Sequence, residues 1–259
     1  MLLRQRIGTP EAKIGTFIFE FATPGIGHIL AAAGCAYGVI DMEHSGFGFD
    51  TVRAAIRYLQ GAGLPAIVRV PSKQREDISR VMDIGADGVM VPVVSSVEQA
   101  QHVLNCVKYA PQGQRGVAMG FAHDRFVPPA GPLDRHFAAH NERTIVMLQI
   151  EDGRGAEAAD AMAAMDGIDC LWVGHFDLSV SLGIPGQFEH PQFVRAVQLT
   201  LAACRKHGKS AGRLAATVED CAALHRQGFD FLSIGHDVGL LQTALSESIV
   251  ALRKRCAPT

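Results

Sequence analysis

The sequence has few cysteines, and none of them form a metal-binding pattern. The six cysteines lie at positions 35, 106, 170, 204, 221 and 256 and include no C-x-x-C pair. Zinc sites built from thiolates need closely spaced cysteines, so a site of that kind is not expected. Most of the cysteines lie in apolar helix or strand contexts, where cysteine behaves as a small hydrophobic residue. We interpret them as reduced and structural.

Long apolar runs and one-sided charge are also absent. No stretch approaches the roughly 18 to 20 apolar residues of a membrane span. The start MLLRQRIGTPEAK lacks the apolar core of a signal peptide. The formal net charge is -2, with lysine and arginine scattered along the chain. These features predict a cytoplasmic protein with small-molecule partners and without nucleic-acid or membrane partners.

Motifs for a covalent nucleophile are missing as well. The sequence contains no Gly-x-Ser-x-Gly elbow, and GADG at 85–88 is more typical of a helix-to-strand turn than of a phosphate loop. The six lysines, at 13, 73, 108, 206, 209 and 254, lie before strands or on helices. None stands where a barrel enzyme would place a Schiff-base lysine. Catalysis by a metal ion and polar side chains is the remaining possibility that the sequence favours.

Strand-like and helical patterns alternate along the whole chain. With 48% hydrophobic residues over 259 positions, the sequence can bury one large core, and we expect a single domain spanning 1–259. The eight strand-like runs lie near 14–19, 37–41, 66–70, 88–91, 144–149, 170–173, 210–213 and 231–234. Eight strand and helix repeats predict an α/β fold that closes into a (β/α)8 TIM barrel.

Three further segments complete this prediction. The first dozen residues are expected to form a short helix that closes the bottom of the barrel, and 238–254 a leucine-rich helix after the last strand. Segment 109–142 is long and irregular. Such segments often cover active sites, so we expect either a cover of that kind or a surface excursion without function.

Two acids end consecutive strand-like runs. Glu151 follows TIVMLQI, and Asp177 follows DCLWV after three residues, with one helical segment between the two runs. Because the carboxyl ends of parallel strands meet at one rim of a sheet, both acids are expected at the same rim. Carboxylates are hard ligands for Mg²⁺, Mn²⁺ or a similar ion. For each acid the alternative is a solvated loop residue, and Asp177 is also a candidate N-cap for the helix beginning LSVSL.

Other polar residues follow neighbouring strands. Asp41, Glu43 and His44 come after the second run, Arg69 closes the third, and Gln149 precedes Glu151. A buried guanidinium needs an anionic partner, so Arg69 is expected to pair with Asp41 or Glu43, to hold a substrate oxyanion, or to do both. His44 is a candidate general base or proton relay. Histidines 123, 136, 140, 175 and 236 are weaker candidates.

Several of these residues lie in motifs that resemble the HpcH/HpaI aldolases, a family of metal-dependent class II aldolases. The resemblance covers nearly the whole chain. It rests on DMEHS at 41–45, VRVP at 68–71, DIGADGVMVPVV at 83–94, QGQRG at 112–116, LQIED at 148–152 and VGHFDLSVSLGIPGQF at 173–188. It implies cleavage or formation of a carbon-carbon bond between a pyruvate-like 2-keto acid and an aldehyde, through a metal-stabilised enolate.

The resemblance also implies roles for individual residues. Glu151 and Asp177 would bind a divalent metal ion such as Mg²⁺, Mn²⁺ or Co²⁺, and Gln149 would lie beside the keto acid. Arg69 would contact the keto oxygen, and His44 would transfer protons together with an acid such as Asp83. Asp41 would support the site. The family further implies a hexamer, a trimer of dimers that exchange the C-terminal helix, in which a neighbouring chain supplies Asp83.

The sequence departs from many relatives beside one proposed metal ligand. Where they have GPAD or GPSD, this chain has Gly174, His175, Phe176 and Asp177, and the two larger residues add bulk where substrate would bind. The donor and acceptor are therefore left open. Two other functions remain as alternatives: a CoA-thioester lyase of the citrate lyase or malyl-CoA lyase type, and a barrel that binds metal without turnover.

Overall fold

The computed structural model describes residues 3–257 and contains a closed barrel of eight parallel strands. The strands are Lys13–Ile18 (β1), Tyr37–Asp41 (β2), Ala66–Arg69 (β3), Gly88–Val91 (β4), Ile145–Ile150 (β5), Cys170–Val173 (β6), Ser210–Ala215 (β7) and Phe231–His236 (β8). Each strand pairs with the next, and β8 closes the barrel against β1. The predicted TIM barrel is confirmed.

Helices cover the outside of the barrel. They are Ile26–Ala32 (α1), Phe49–Gly61 (α2), Arg75–Asp83 (α3), Val97–Val107 (α4), Leu133–Arg143 (α5), Gly153–Ala163 (α6), His175–Ser181 (α7), Pro191–His207 (α8), Val218–Gln227 (α9) and Asp237–Cys256 (α10). Short 3-10 turns occupy Leu3–Arg6 and Ala122–Asp124. Most predicted strand boundaries agree with the structure within two residues. β7 and β8 each end two residues later than predicted, because their pairing with neighbouring strands continues beyond the apolar run.

The core has two layers, as strands buried on both faces require. Aromatic and aliphatic side chains including Phe17, Tyr37, Met147, Trp172 and Phe231 fill the barrel interior. A larger cluster lies between the strands and the surrounding helices. The N-terminal segment joins the inner layer, because Leu3 is buried among the interior side chains. The predicted closing element is therefore present as a 3-10 turn rather than a longer helix.

A buried ion pair joins the amino ends of three strands. Lys13 on β1 donates to Asp230, just before β8, over 2.5 Å, and Ser210 on β7 donates to the same carboxylate over 2.8 Å. Lys13 is fully buried. Removing either charge would leave the other buried without a partner, which costs about 3–5 kcal/mol. This end of the barrel is built for stability, so the polar groups at the opposite end are the ones available for chemistry.

The long irregular segment lies at the stability end, so it does not cover the carboxyl ends of the strands in its own chain. Residues of this segment line a cavity of about 590 Å³ together with Leu3 and Pro65, which precede β1 and β3. The reason is topological, since α4 runs back along the barrel and its connection to β5 must start near the amino ends of the strands. Irregular composition alone does not show which end a loop covers.

A histidine and carboxylate cluster holds this segment together. Among residues 3–257, Asp124, His136 and His140 place three potential ligand atoms within 4.8 Å of one another. His140 Nε2 lies 2.7 Å from the Asp124 carboxylate, but Arg143 Nη2 lies 2.8 Å from the same nitrogen. A fixed positive charge beside a ligand nitrogen opposes metal binding. We interpret the cluster as a structural network that fixes α5 against the turn at 122–124.

The last helix, α10, has an apolar surface that the rest of the chain leaves uncovered. Asp237 is its one buried residue. Its large exposed hydrophobic residues are Leu240, Leu241, Leu245, Ile249, Val250 and Leu252. In the described part of the chain, no helix has both the length and the apolar character needed to cross a bilayer.

Candidate active site

A cavity of about 440 Å³ opens at the carboxyl ends of the strands. Its lining includes most of the residues that the sequence singles out: His44, Arg69, Gln149, Glu151, Gly174, His175, Phe176 and Asp177. They come from the ends of β2, β3, β5 and β6 or from the residues that follow them. The sequence prediction that these groups share one rim is therefore confirmed in position, whereas their roles stay predictions.

Arg69 is fixed at the cavity wall by two carboxylates. Its Nε donates to Asp41, which is completely buried beneath it, and its Nη1 lies 3.0 Å from Glu43 Oε2. The guanidinium carbon also lies 5.1 Å from the Phe17 ring centroid and 5.7 Å from that of Phe19. A guanidinium held on several sides is pre-oriented, so its remaining N–H groups can meet an oxyanion in the cavity.

His44 is the exposed partner of this network. Its backbone N–H donates to Asp41 over 2.7 Å, which fixes the turn after β2. The imidazole is 61% exposed, and its Nε2 lies 3.9 Å from Glu43 Oε2. Burial raises the pKa of Glu43, while Arg69 and His44 oppose the rise. The imidazole is thus accessible to solvent and substrate while a carboxylate stays beside it.

Glu151 is a carboxylate buried at the floor of the cavity. Its Oε2 accepts from the Val93 N–H over 2.7 Å, and its Oε1 accepts from Gln149 Nε2 over 3.2 Å. Burial raises the pKa of Glu151 to about 7, and the carboxylates of Glu43 and Asp177 add to the rise. Loss of solvent and two neighbouring negative charges therefore make the ionised form costly unless a cation joins it.

Gln149 and Gly174 surround this carboxylate. The amide nitrogen of Gln149 is used on Glu151, whereas its Oε1 is buried and has no hydrogen-bond partner in the described chain. Gly174 has no Cβ, and a Cβ built there would lie 2.5 Å from Glu151 Cγ. Glycine at position 174 therefore allows the end of β6 to pack directly on Glu151. Gln149 has a buried acceptor oxygen that needs a hydrogen-bond donor or a cation.

Asp177 lies in the first turn of α7 and lines the cavity. The helix begins at His175 after Gly174, which provides no side-chain cap. The alternative prediction that Asp177 is an N-cap is therefore wrong, because the helix starts earlier than the run LSVSL suggests. The carboxylate is exposed, and it acts on the pKa of both Glu43 and Glu151.

The two residues that depart from the family pattern both line the cavity. Phe176 is 61% exposed at the entrance, and its ring centroid lies 4.4 Å from that of His175. His175 also contacts Phe188, at 5.2 Å between ring centroids. Burial, aided by Arg213, lowers the pKa of His175 to about 4, so its imidazole is neutral near pH 7. His175 and Phe176 thus place two adjacent aromatic rings at the cavity entrance.

Asp83 lies apart from the other predicted residues. It ends α3, at the opposite end of the barrel, and its carboxylate is 2.6 Å from Arg115. It is absent from the residues that line the cavity. A catalytic role for Asp83 would need a neighbouring chain, so this assignment stays a prediction.

Sequence reasoning missed the other half of the cavity. Phe17 and Phe19 come from β1 and the residue after it, Trp172 from β6, Leu214 from β7 and His236 from β8. Four of them are apolar and belong to runs that look like ordinary core strands. His236 follows the last strand-like run, which is a signal for the rim, but histidines are common in loops, so the sequence ranks it among the weaker candidates. It is the final residue of β8.

The fold and this cavity define a (β/α)8 barrel with polar groups gathered at the carboxyl ends of its strands, the arrangement of barrel enzymes. The model of the HpcH/HpaI aldolase/citrate lyase family matches residues 14–244. The chain therefore belongs to this family, and the resemblance seen in the sequence motifs is confirmed.

Curated relatives are similar over most of their length. The chain is 33% identical to 5-keto-4-deoxy-D-glucarate aldolase of Klebsiella pneumoniae subsp. pneumoniae over 244 residues, which cover 94% of this chain and 93% of the relative. It is also 33% identical to hydroxypyruvate/pyruvate aldolase of Chromohalobacter salexigens, over 88% of this chain and 89% of the relative. Both relatives are named as aldolases.

Solved structures agree with this relationship. An HpcH/HpaI aldolase from Desulfitobacterium hafniense DCB-2 superposes with a TM-score of 0.90 at 29% identity, covering 100% of this chain and 98% of its own. The citrate synthase SbnG superposes with a TM-score of 0.85 at 32% identity, covering 98% of both chains. The chain thus resembles proteins that are named for different carbon-carbon bond reactions.

Proposed function

We propose that this protein is a class II aldolase that cleaves or forms a carbon-carbon bond between a pyruvate-like 2-keto acid and an aldehyde. The observation that carries the proposal is one cavity in which Arg69 lies with the buried Glu151 and the exposed Asp177. The curated relatives named as aldolases support the same reaction class. Pyruvate and hydroxypyruvate are the expected 2-keto acids.

The donor set fits a divalent cation. After burial, the charges of Glu43 and Asp177 raise the pKa of Glu151, and Arg69 is the cation that lowers it. Arg69 is already paired with Asp41 and Glu43, so negative charge remains around Glu151. Glu151 and Asp177 would hold Mg²⁺, Mn²⁺ or Co²⁺, with the unpartnered oxygen of Gln149 nearby. A bound ion supplies Lewis acidity towards the carboxylate and keto oxygens of a 2-keto acid.

Arg69 stabilises the charge that develops during bond cleavage. When the bond between the carbons α and β to the keto group breaks, an enolate forms and negative charge moves onto the keto oxygen. The guanidinium is held by Asp41 and Glu43 before substrate arrives, so it need not reorganise as that charge appears. Its burial at 7% exposure strengthens the interaction relative to water.

His44 is the proton-transfer residue of the proposal. In cleavage, the hydroxyl group of the aldol must lose its proton as the aldehyde forms, and the exposed imidazole at the cavity can accept that proton. Glu43 Oε2 lies 3.9 Å from His44 Nε2, so a carboxyl group stays beside the imidazole that exchanges the proton. In the synthetic direction the same group returns the proton to the new hydroxyl.

A second candidate is a condensation or cleavage that uses a CoA thioester. The similarity to SbnG, a protein named as a citrate synthase, favours keeping this candidate. The two functions differ in the product that is released, since only the second gives a free CoA thiol or consumes a CoA ester. A barrel that binds metal without turnover is less favoured, because Arg69, His44, Glu151 and Asp177 are all present.

The uncovered face of α10 supports a homo-oligomer. Exposed side chains such as Leu241, Leu245 and Ile249 give an isolated chain a large apolar surface. An assembly in which the C-terminal helices are exchanged, such as a trimer of dimers, would cover it. Light scattering coupled to gel filtration gives the mass directly, and a monomer at micromolar concentration would contradict this assembly.

Activity with and without metal tests the proposed function. Purified protein is offered pyruvate or hydroxypyruvate with a panel of aldehydes, and each product is identified by mass spectrometry. EDTA treatment should abolish turnover and added Mg²⁺, Mn²⁺ or Co²⁺ should restore it. Full activity after thorough metal removal would refute the mechanism, whereas activity only with CoA esters would favour the second candidate.

A substitution at Glu151 tests whether this carboxylate binds the metal ion. Glu151→Gln keeps the size of the side chain and removes its charge, so Mn²⁺ affinity measured by calorimetry should fall at least tenfold. Glu157→Gln is the matched control, because Glu157 is an exposed residue of α6 paired with Arg195 away from the cavity. Equal Mn²⁺ affinity in both variants would remove Glu151 from the metal site.

A further inference from the structure

The cavity has two chemically different halves. The half built from β2 to β6 carries Arg69, Gln149 and Glu151 and takes the 2-keto acid in the proposed function. The half built from β7, β8, β1 and the start of α10 has Phe17, Phe19 and Leu214 on its walls. The aldehyde part of the substrate must extend away from the keto acid, so this second half is available to it.

His236 places a hydrogen-bond donor in the apolar half. It is the last residue of β8, pairs with Phe17 of β1 and lines the cavity. It also caps α10, since its Nδ1 accepts from the Gly239 N–H over 3.2 Å. An Nδ1 that accepts a hydrogen bond carries no proton, so the ring proton lies on Nε2. The cap thus leaves Nε2–H as a donor, and no residue of 3–257 accepts from it.

Phe19 sets the position of this donor relative to Arg69. The His236 ring meets the Phe19 ring edge-on with centroids 5.2 Å apart. The Arg69 guanidinium carbon lies 5.7 Å from the same Phe19 centroid. One aromatic ring therefore contacts both the guanidinium and the imidazole, and both side chains line the same cavity.

We propose that His236 is a specificity-determining residue, which donates a hydrogen bond from Nε2 to an oxygen on the tail of the acceptor aldehyde. The inference rests on the proposed aldolase function and names the substrate class as aldehydes that carry an oxygen acceptor beyond the carbonyl. A hydroxyl group and a carboxylate both offer the acceptor oxygen that the Nε2–H needs. Simple alkyl aldehydes are disfavoured.

The apolar surroundings make this single donor selective. An alkyl tail would displace water from Nε2–H and leave it without a partner, whereas an oxygen-bearing tail would replace that water. Sites built to bond a substrate hydroxyl reject analogues that lack it more strongly than hydrophobic pockets reject an added hydroxyl. Because the effect arises in binding the aldehyde, it should appear in the KM for the aldehyde rather than in the chemistry of the keto acid.

A substitution that keeps the helix cap tests the donor alone. In His236→Ser the short hydroxyl can still cap α10 but does not extend into the cavity. His190→Ser is the matched control, because His190 caps α8 through its Nδ1 in the same way and does not line the cavity. Each variant is assayed with pyruvate and Mg²⁺ against glyceraldehyde, propionaldehyde, which has the same carbon chain, and succinic semialdehyde. The rate at which the pyruvate methyl protons exchange in D₂O is measured without aldehyde. Each aldol rate is divided by this exchange rate, which corrects for the amount of active enzyme in the preparation.

The expected result is a change of preference. After normalisation, kcat/KM of His236→Ser should fall roughly 3- to 10-fold with glyceraldehyde relative to propionaldehyde, through a higher aldehyde KM. A loss confined to succinic semialdehyde would identify a carboxylate as the acceptor. Equal losses with all three aldehydes, no change, or the same change in His190→Ser would overturn the inference. Wild-type protein that turns over these aldehydes without the preference would overturn it while leaving the proposed function intact. Wild-type protein with neither exchange nor turnover would overturn both.

Discussion

The backbone of Gly174 packs directly against the side chain of Glu151, with no room for even a methyl group between them. A Cβ at 174 would lie 2.5 Å from Glu151 Cγ and would overlap its Oε1. Glu151 cannot move aside freely, because its other oxygen accepts from the Val93 N–H and the residue is 5% exposed. The last residue before α7, Gly174, thus restricts the position of the Glu151 carboxylate, which follows β5.

We predict that Gly174→Ala displaces Glu151 and weakens metal binding. The added methyl group forces the carboxylate off its present position, and a misplaced ligand also misplaces a bound substrate. Mn²⁺ affinity and aldolase turnover should each fall at least tenfold, with little loss of secondary structure by circular dichroism. Gly61→Ala is the control, since a Cβ there meets nothing within 4 Å. Unchanged Mn²⁺ affinity in Gly174→Ala would mean that Glu151 is not a ligand.

Arg69 should be essential for turnover and dispensable for metal binding. Its guanidinium bonds Asp41 and Glu43 rather than Glu151, so the proposed ligands keep their places when it is replaced. Arg69→Ala should lower kcat about 10²- to 10³-fold, the usual effect of losing one oxyanion donor. It should also destabilise the fold by about 3–5 kcal/mol, because Asp41 is left buried and unpaired.

Arg69→Lys separates these two effects. Lysine restores a positive charge next to Asp41 but has no planar fork to serve two carboxylates and a substrate oxygen together. Stability by chemical denaturation should recover in part while turnover stays low. Arg195→Ala, which removes an exposed arginine of α8, is the control for loss of charge. Undiminished turnover in Arg69→Ala would exclude the proposed role.

The sequence predicted the barrel and one half of the site from the same signal. Apolar runs without alternation located the strands, and polar residues at the ends of those runs, such as Arg69 and Glu151, identified the rim. Both inferences depend only on local pattern and on the geometry shared by parallel strands. They needed no information about loops.

The features that the sequence did not predict depend on longer-range geometry. The helix that contains Asp177 starts at His175, because the chain turns immediately after β6. The residue before this helix is Gly174, which has no capping side chain that would mark the start in the sequence. The segment around Asp124 covers the amino ends of the strands, which follows from the direction of α4 rather than from its composition. His236 enters the cavity because the β8 ladder continues past the apolar run to pair with Phe17.

Stability should depend on pH through His140. Burial, aided by Arg143, lowers the pKa of His140 to about 4, whereas an unfolded histidine titrates near 6.5. Between these values the unfolded chain binds a proton that the folded chain does not, so stability falls as pH decreases through this window and is unaffected above it. One such group contributes at most about 1.4 kcal/mol per pH unit.

Urea denaturation at several pH values measures this contribution. In His140→Gln the free energy of unfolding should decline less steeply between pH 6.5 and 4 than in the wild type, although the variant is less stable at pH 7. His28→Gln, a change at an exposed histidine, should keep the wild-type slope. Equal slopes in wild type and His140→Gln would show that His140 takes up its proton in the folded state.

Phe176 should limit the size of the aldehyde that enters the cavity. Its ring is 61% exposed at the entrance and packs against His175 and Phe188, so the side chain narrows the opening while contributing little to the core. Phe176→Ala should therefore change stability by less than about 1 kcal/mol, as expected for an exposed position. With pyruvate as donor, its kcat/KM should rise for branched or aromatic aldehydes relative to glycolaldehyde. Phe121→Ala removes a comparably exposed phenylalanine outside the cavity and serves as the control. If the ranking of aldehydes by kcat/KM is unchanged in Phe176→Ala, another residue determines the width of the entrance. The ring of Phe188 is the next candidate.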